Sequence, residues 1–116
     1  MVSKHEVDHF LREFKEKMKI WDVLFRDDRG KNTQTLAELE IRPSDREKIL
    51  RELVSTDYSE GPLDEKLYGG SDLWVFGKEI KHQGVYIKIS MGFANDHVIC
   101  ISFHIAEYQM SFPFKN

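Results

Sequence analysis

Three side chains that can release or take up a proton lie in the last third of the sequence, each inside a predicted β-strand. They are Glu79, Tyr86 and His104. A histidine changes charge near neutral pH, a carboxylate accepts a proton, and a phenol donates a hydrogen bond. The three could act as base, donor and acid in one reaction if the fold brings them together.

The strands that must position these side chains are predicted over residues 73–80, 85–91 and 99–105. Successive side chains of a strand point to opposite faces, and the last two stretches alternate strictly between apolar and polar residues. The predicted core face collects the apolar residues Val85, Ile87, Ile89 and Met91, with Ile99, Ile101, Phe103 and Ile105. The opposite face collects Tyr86, Lys88, Ser90, Cys100, Ser102 and His104.

Burial selects one register between the last two strands, because a one-residue slip would send core residues to the polar face. Residues 93–97 are taken as the loop between them. The expected opposite pairs are then Ile87–Phe103, Ile89–Ile101, Tyr86–His104 and Lys88–Ser102.

The first hairpin is predicted to close over residues 81–84, where Gly84 would supply the positive φ of a short loop. Ile80 then pairs with Val85, which puts Glu79 opposite Tyr86. The three proton-handling side chains would form one row, with Cβ atoms of neighbours about 5 Å apart. The alternative is an ordinary solvated sheet surface, which is common for polar strand faces.

Length and composition predict a single domain over residues 1–116. With 41% hydrophobic and 32% charged residues, the chain can bury one core. No apolar run is long enough to cross a bilayer and no signal region is evident at the amino terminus, so a cytoplasmic protein is expected. The lone Cys100 and the five scattered histidines predict neither a disulfide nor a metal site, and no cofactor is expected.

The amino-terminal part of the chain is predicted to be mostly helical. Apolar residues at helical spacing predict a first helix over 4–19, which Ser3 and Glu6 begin with a capping box. A short strand is expected at 21–25.

Two further helices are expected before a long connection. One covers 33–38 with Asn32 as its cap, and the other has Pro43 in its first turn. Residues 55–72 are expected to be a connection, and segments of that length are usually functional or mobile. The element order predicts an α+β fold, with N-terminal helices packed on one face of a small antiparallel sheet.

The net charge of −3 does not favour nucleic-acid binding, but the distribution of the charges matters more than their sum. Basic residues cluster on the hairpin and on an earlier loop. They are Lys78, Lys81, His82 and Lys88, with Arg26, Arg29 and Lys31.

Two short motifs, at residues 84–89 and 98–103, lie in the predicted strands, and weaker matches lie at 57–58 and 73–74. Together with the order of the elements, they resemble the MqsR family of mRNA interferase toxins, which have a RelE-like fold. The resemblance extends from the first helix to about Ala106.

The resemblance implies an endoribonuclease that cleaves single-stranded mRNA, free or on the ribosome, and that a cognate antitoxin protein silences. The family's tyrosine falls on Tyr86. Its basic residue falls on His104, a histidine where the family has a lysine. Two more positions depart from the family pattern, with Ser59 in place of a lysine and Val75 in place of a glutamine.

Metal-free RNA cleavage needs a base for the 2′-hydroxyl proton, an acid for the leaving 5′-oxygen and positive charge at the phosphate. The candidates are Glu79 as base and His104 as acid, with a hydrogen bond from Tyr86 to the phosphate. Lys78 or Lys88 would hold the phosphate charge. Both lysines could equally be solvated residues that protect a strand edge.

Tyr58 and Tyr68 could stack on a splayed base, but a role as anchors of the connection is favoured over stacking. A non-catalytic interaction module of the same fold remains an alternative, which Ser59 and Val75 favour. A small-ligand site at Trp74 is less favoured because its ring should face the core. A DNA-binding regulator is less favoured because no helix has a basic recognition face.

Overall fold

The computed structural model describes residues 2–64 and 71–115 and contains three helices, five strands and two short 3₁₀ turns. The helices are α1 (Lys4–Trp21), α2 (Lys31–Leu39) and α3 (Asp45–Arg51). The strands are β1 (Val23–Phe25), β2 (Tyr58–Leu63), β3 (Leu73–Ile80), β4 (Gln83–Ser90) and β5 (Val98–Ile105). The 3₁₀ turns cover Asp27–Arg29 and Ser55–Asp57.

The strands form one sheet in the order β1-β5-β4-β3-β2. β1 runs parallel to β5, and the other neighbours are antiparallel. The α+β prediction is therefore confirmed, and the parallel pairing of β1 adds one strand to the expected antiparallel sheet. β2 lies within the segment expected to be a connection. Its Gly61 and Pro62 argue against a central strand, but an edge strand tolerates proline.

α1 packs its apolar side on one face of the sheet, as its helical spacing predicts. Ser3 and Glu6 form the expected capping box, with hydrogen bonds of 3.1 and 3.2 Å. The Phe10 ring stacks on Trp74 at 4.5 Å between centroids. α3 contributes Leu50 to the same core. No helix among the described residues combines the length and the apolar character needed to cross a membrane.

α2 covers the part of β5 that β1 does not reach. β1 pairs with residues 98–100 of β5. Beyond that point Asn32 donates to the Ile101 carbonyl at 3.2 Å and accepts from the Phe103 N–H at 3.0 Å. Thr35 accepts from the Ile105 N–H at 3.1 Å. Asn32 is thus not the expected helix cap: it lies inside α2 and satisfies the edge of the sheet.

The register between β4 and β5 is confirmed around the proposed site. It breaks between Lys88 and Ile89, where a bulge places Cys100 opposite Ile89 instead of Ile101. A bulge inserts one extra residue into a strand and reverses the alternation beyond it. The confirmed pairs are Tyr86–His104, Ile87–Phe103 and Lys88–Ser102.

The bulge changes the face to which the start of β5 contributes. Cys100, predicted on the polar face, is buried in the main core. Ile99 and Ile101, predicted in that core, pack instead with Leu73 in a second apolar cluster. The sheet therefore buries apolar residues on both of its faces.

The turn of the first hairpin has two residues instead of the four expected, so β4 begins two residues earlier than predicted. Lys81 and His82 form a two-residue turn with φ of 50° and 69°, while Gly84 lies within β4. A turn with two positive φ values matches the twist of the flanking strands and lets the ladder continue to its end. The predicted pairing of Glu79 with Tyr86 is consequently wrong, because Tyr86 pairs with Gly77.

Replacement of Asn32 by alanine should strongly destabilise the fold. The Ile101 carbonyl and the Phe103 N–H would lose their partners, and the free energy of unfolding should fall by about 2–4 kcal/mol. Urea denaturation measures this loss. Gln34→Ala, an exposed change on the same helix, should alter stability by less than about 0.5 kcal/mol. Equal effects of the two variants would contradict the role assigned to Asn32.

Cys100 should not react with thiol reagents in the native protein. Burial raises the pKa of its thiol to about 12, so almost no thiolate exists at pH 8. The thiol should react fully in urea, and its labelling should follow the unfolding transition. Rapid labelling without denaturant would place Cys100 on an exposed face and contradict the bulge.

Candidate functional site

Tyr86 and His104 form a stacked pair on the sheet. Their rings are 5.1 Å apart between centroids and inclined by only 11°. The two residues lie directly opposite each other on β4 and β5, so the strand register itself brings the rings together. Tyr86 is only 9% exposed, whereas His104 is half-buried and accessible from the α2 side.

One hydrogen bond determines which nitrogen of His104 can do chemistry. The Nδ1 atom lies 3.0 Å from the Ile105 carbonyl oxygen. Because a carbonyl only accepts, Nδ1 carries the proton and donates it in this bond. Nε2 is then the nitrogen that gains or loses a proton when the ring changes charge.

Positive charge approaches this pair from two directions. The Lys88 ammonium lies 5.8 Å from the centre of the Tyr86 ring, and Lys88 pairs with Ser102 across the ladder. Lys31 approaches from α2, and together with His104 it lines a depression of about 160 Å³.

An ion pair lies beside His104. The Lys31 ammonium donates to both carboxylate oxygens of Glu107, at 2.9 and 3.1 Å. A second depression is lined by His104, Lys31 and Glu107. Hydrogen bonding from the Lys31 ammonium and its charge hold the pKa of Glu107 below its usual range, so the pair is ionised at neutral pH.

Glu79 is not brought next to the stacked pair. The two-residue turn places Glu79 opposite Gly84, and the space opposite Tyr86 is taken by Gly77. The Glu79 side chain is 76% exposed and lies 3.9 Å from His82. The predicted row of three side chains therefore reduces to two.

Lys78 and Lys88 lie on opposite faces of the sheet. Lys78 pairs with Val85, whose side chain belongs to the main core. Its ammonium binds the Asp57 carboxylate at 3.1 Å. Of the two predicted phosphate-binding lysines, only Lys88 shares a face with Tyr86.

Tyr58 lies in the core and is not an exposed stacking platform. It is 5% exposed, and its ring contacts Phe76 and Phe114 at 6.0 and 5.5 Å. Burial raises the pKa of its hydroxyl. The prediction failed because this tyrosine begins an edge strand instead of a loop. Tyr68 lies outside the described residues.

The segment after β5 covers the neighbouring part of this face. Tyr108 approaches Tyr86 edge-on at 6.1 Å between ring centroids. Met110 and Phe112 lie against Gly77, where a Cβ atom would come within 2.7 Å of the Phe112 ring. Gly77 thus makes room for the C-terminal segment beside the stacked pair.

Sequence reasoning missed the partners of His104 outside the sheet. From the sequence, Lys31 is one of several basic residues of a predicted loop, and Glu107 and Tyr108 have no predicted role. Lys31 and Glu107 are 76 positions apart, and no periodicity links them. The only available signal was opposite charge on two segments that both adjoin β5.

Comparisons of the chain with family models, with curated proteins and with solved structures returned no match. Among the described residues, no group of three or more histidine, cysteine, aspartate or glutamate side chains is arranged to hold a metal ion.

Proposed function

We propose that this protein is an mRNA interferase toxin of a type II toxin–antitoxin pair, which cleaves single-stranded mRNA without a metal. The stacked Tyr86–His104 pair is the observation that carries the proposal. The resemblance to the MqsR family led to the same two residues, and the register brings their rings to 5.1 Å.

The chemistry assigns one role to each side chain of the pair. His104 protonates the leaving 5′-oxygen from Nε2, while Tyr86 orients the imidazole by stacking and directs its hydroxyl to the phosphate. The 2′-oxygen forms a bond to phosphorus as its proton passes to solvent, and the bond from phosphorus to the 5′-oxygen breaks. The products are a 2′,3′-cyclic phosphate and a 5′-hydroxyl. Lys88 stabilises the charge that develops on the phosphate oxygens.

The proposed setting is the cytoplasm, where the chain would meet mRNA either free or on the ribosome. A cognate antitoxin protein would silence it, and an acidic segment is the natural partner for the cations around the site. Screening by salt should weaken such an association. Glu79 has no part in the proposed reaction because its side chain is not adjacent to Tyr86.

A non-catalytic interaction module of the same fold is the second candidate. The positions where the family has a lysine and a glutamine hold Ser59 and Val75, and Val75 is fully buried. β2 also lies at an edge of the sheet, where another chain could add a strand. An interaction module would not cut RNA, so cleavage by the purified protein separates the two candidates.

Replacement of His104 by alanine should abolish RNA cleavage and growth arrest, because loss of a general acid lowers rates about 10²–10⁴-fold. Tyr86→Phe keeps the ring and removes one donor, and it should have a smaller effect. Cleavage of a labelled RNA in the presence of a chelator measures both. Glu79→Gln is the control, and it should cleave at the parental rate.

The integrity of the variants can be checked by their unfolding transitions. A folded His104→Ala protein that cuts RNA at the parental rate would disprove the catalytic assignment. A parental protein that cuts no RNA would favour the interaction module.

The two lysines of the hairpin strands should behave differently. Lys88→Gln should weaken RNA binding and slow cleavage, because Lys88 lies on the face of the stacked pair. Lys78→Gln makes the same change of charge on the opposite face and should leave both unchanged. Titration of a labelled RNA measures the affinities. Equal losses in the two variants would show that net charge alone determines binding.

A further inference from the structure

The Lys31–Glu107 ion pair lies beside His104, at the edge of β5. His104 lines two depressions, and Lys31 lines both of them. The two partners of the ion pair are exposed by 58% and 60%. An ion pair of this exposure contributes little to stability, because both charges remain hydrated when they separate. Its position beside His104 suits a role in ligand binding instead.

The smaller depression has the chemistry of an anion site. Its lining includes Lys31, Ser102 and His104, which are one cationic and two hydrogen-bonding residues. Ser102 is 6% exposed, and its hydroxyl makes no hydrogen bond within the described part of the chain. The space of about 160 Å³ can take a phosphate group. Asn32 also lines it, but its amide is already bonded to Arg26, Ile101 and Phe103.

The Glu107 carboxylate is placed to compete with that anion for Lys31. Its carboxylate binds Lys31 through both oxygens, as two oxygens of a phosphate would. A lysine ammonium has three donors on a flexible stem, so it can exchange one anion for another without a change in the backbone.

We propose that Lys31 and His104 bind one backbone phosphate of single-stranded RNA, and that Glu107 occupies Lys31 until this phosphate displaces it. The inference rests on the proposed function for the identity of the ligand, and it adds a substrate contact and an internal competitor to that site. Ser102 donates a hydrogen bond to the same phosphate.

The two partners of the ion pair should affect RNA binding in opposite directions. Loss of Lys31 removes a phosphate contact and weakens binding. Loss of the Glu107 charge removes the competitor and strengthens binding. Net charge alone would also shift binding in opposite directions on loss of a cation or of an anion, so each variant is compared with the same change of charge away from the site.

The experiment uses the full chain and an eight-nucleotide RNA in which every 2′-hydroxyl is methylated, so that binding is measured without cleavage. Lys31→Gln should weaken binding at least about threefold and reduce the slope of log affinity against log salt by about 0.7. Glu107→Gln should tighten binding about two- to fivefold, because the parental protein binds only after the ion pair opens.

Lys48→Gln and Glu52→Gln on the α3 side are the matched controls. Both side chains are exposed, and the substitutions repeat the two changes in net charge away from the site. Each should shift the affinity by less than its counterpart at the ion pair. Control shifts equal to those of Lys31→Gln and Glu107→Gln, or shifts of the same direction at the ion pair, would overturn the proposal.

Cleavage of unmodified RNA separates this inference from the proposed function. If the protein cuts RNA but the affinities of the two ion-pair variants shift in the same direction, the competing role of Glu107 is disproved and the toxin proposal stands. If the opposite shifts are found but no RNA is cut, the phosphate site stands and the catalytic proposal fails.

Discussion

The buried amide of Asn32 is the contact on which the arrangement of the site depends. Without it, two backbone groups of β5 would be unpaired at the outer edge, beyond the three residues that β1 reaches. Asn32 bonds to the Ile101 carbonyl and the Phe103 N–H, which both point outward from that edge. A neighbouring strand would bond the same two groups. Because it does so from the first turn of a helix, the preceding residue, Lys31, is carried to the position above His104. A sixth strand would satisfy the edge equally well but would bring no such cation.

The bulge in β5 explains how a narrow sheet can have both a helix-covered core and a polar site. Without it, strict alternation would leave one face apolar and the other polar along the whole strand. The extra residue moves Ile99 and Ile101 to the face of His104, where they bury the sheet next to the site. The bulge therefore lets one face of the sheet hold both the stacked pair and an apolar cluster.

Much of this fold could be predicted from local patterns, and most of the site could not. Alternation placed Tyr86 opposite His104, because both flanking core residues would be exposed in any neighbouring register. The first hairpin was misplaced because Gly84 is the natural candidate for a positive φ, whereas the protein uses Lys81 and His82 for this purpose. β2 was missed because an edge strand lacks the apolar alternation of a central one. The approach of Lys31 depends on tertiary packing, which no short pattern encodes.

The contact between Gly77 and Phe112 links two positions that lie in different segments. A side chain at position 77 would occupy the space of the Phe112 ring, and an alanine at position 112 would leave a gap over Gly77. Each position therefore limits the residues that the other can accept. In evolutionary terms, homologues should change the two together: a larger residue at 77 should accompany a small residue at 112, or a chain that ends before it. The C-terminal segment would then vary in length and sequence as a unit with one strand of the sheet.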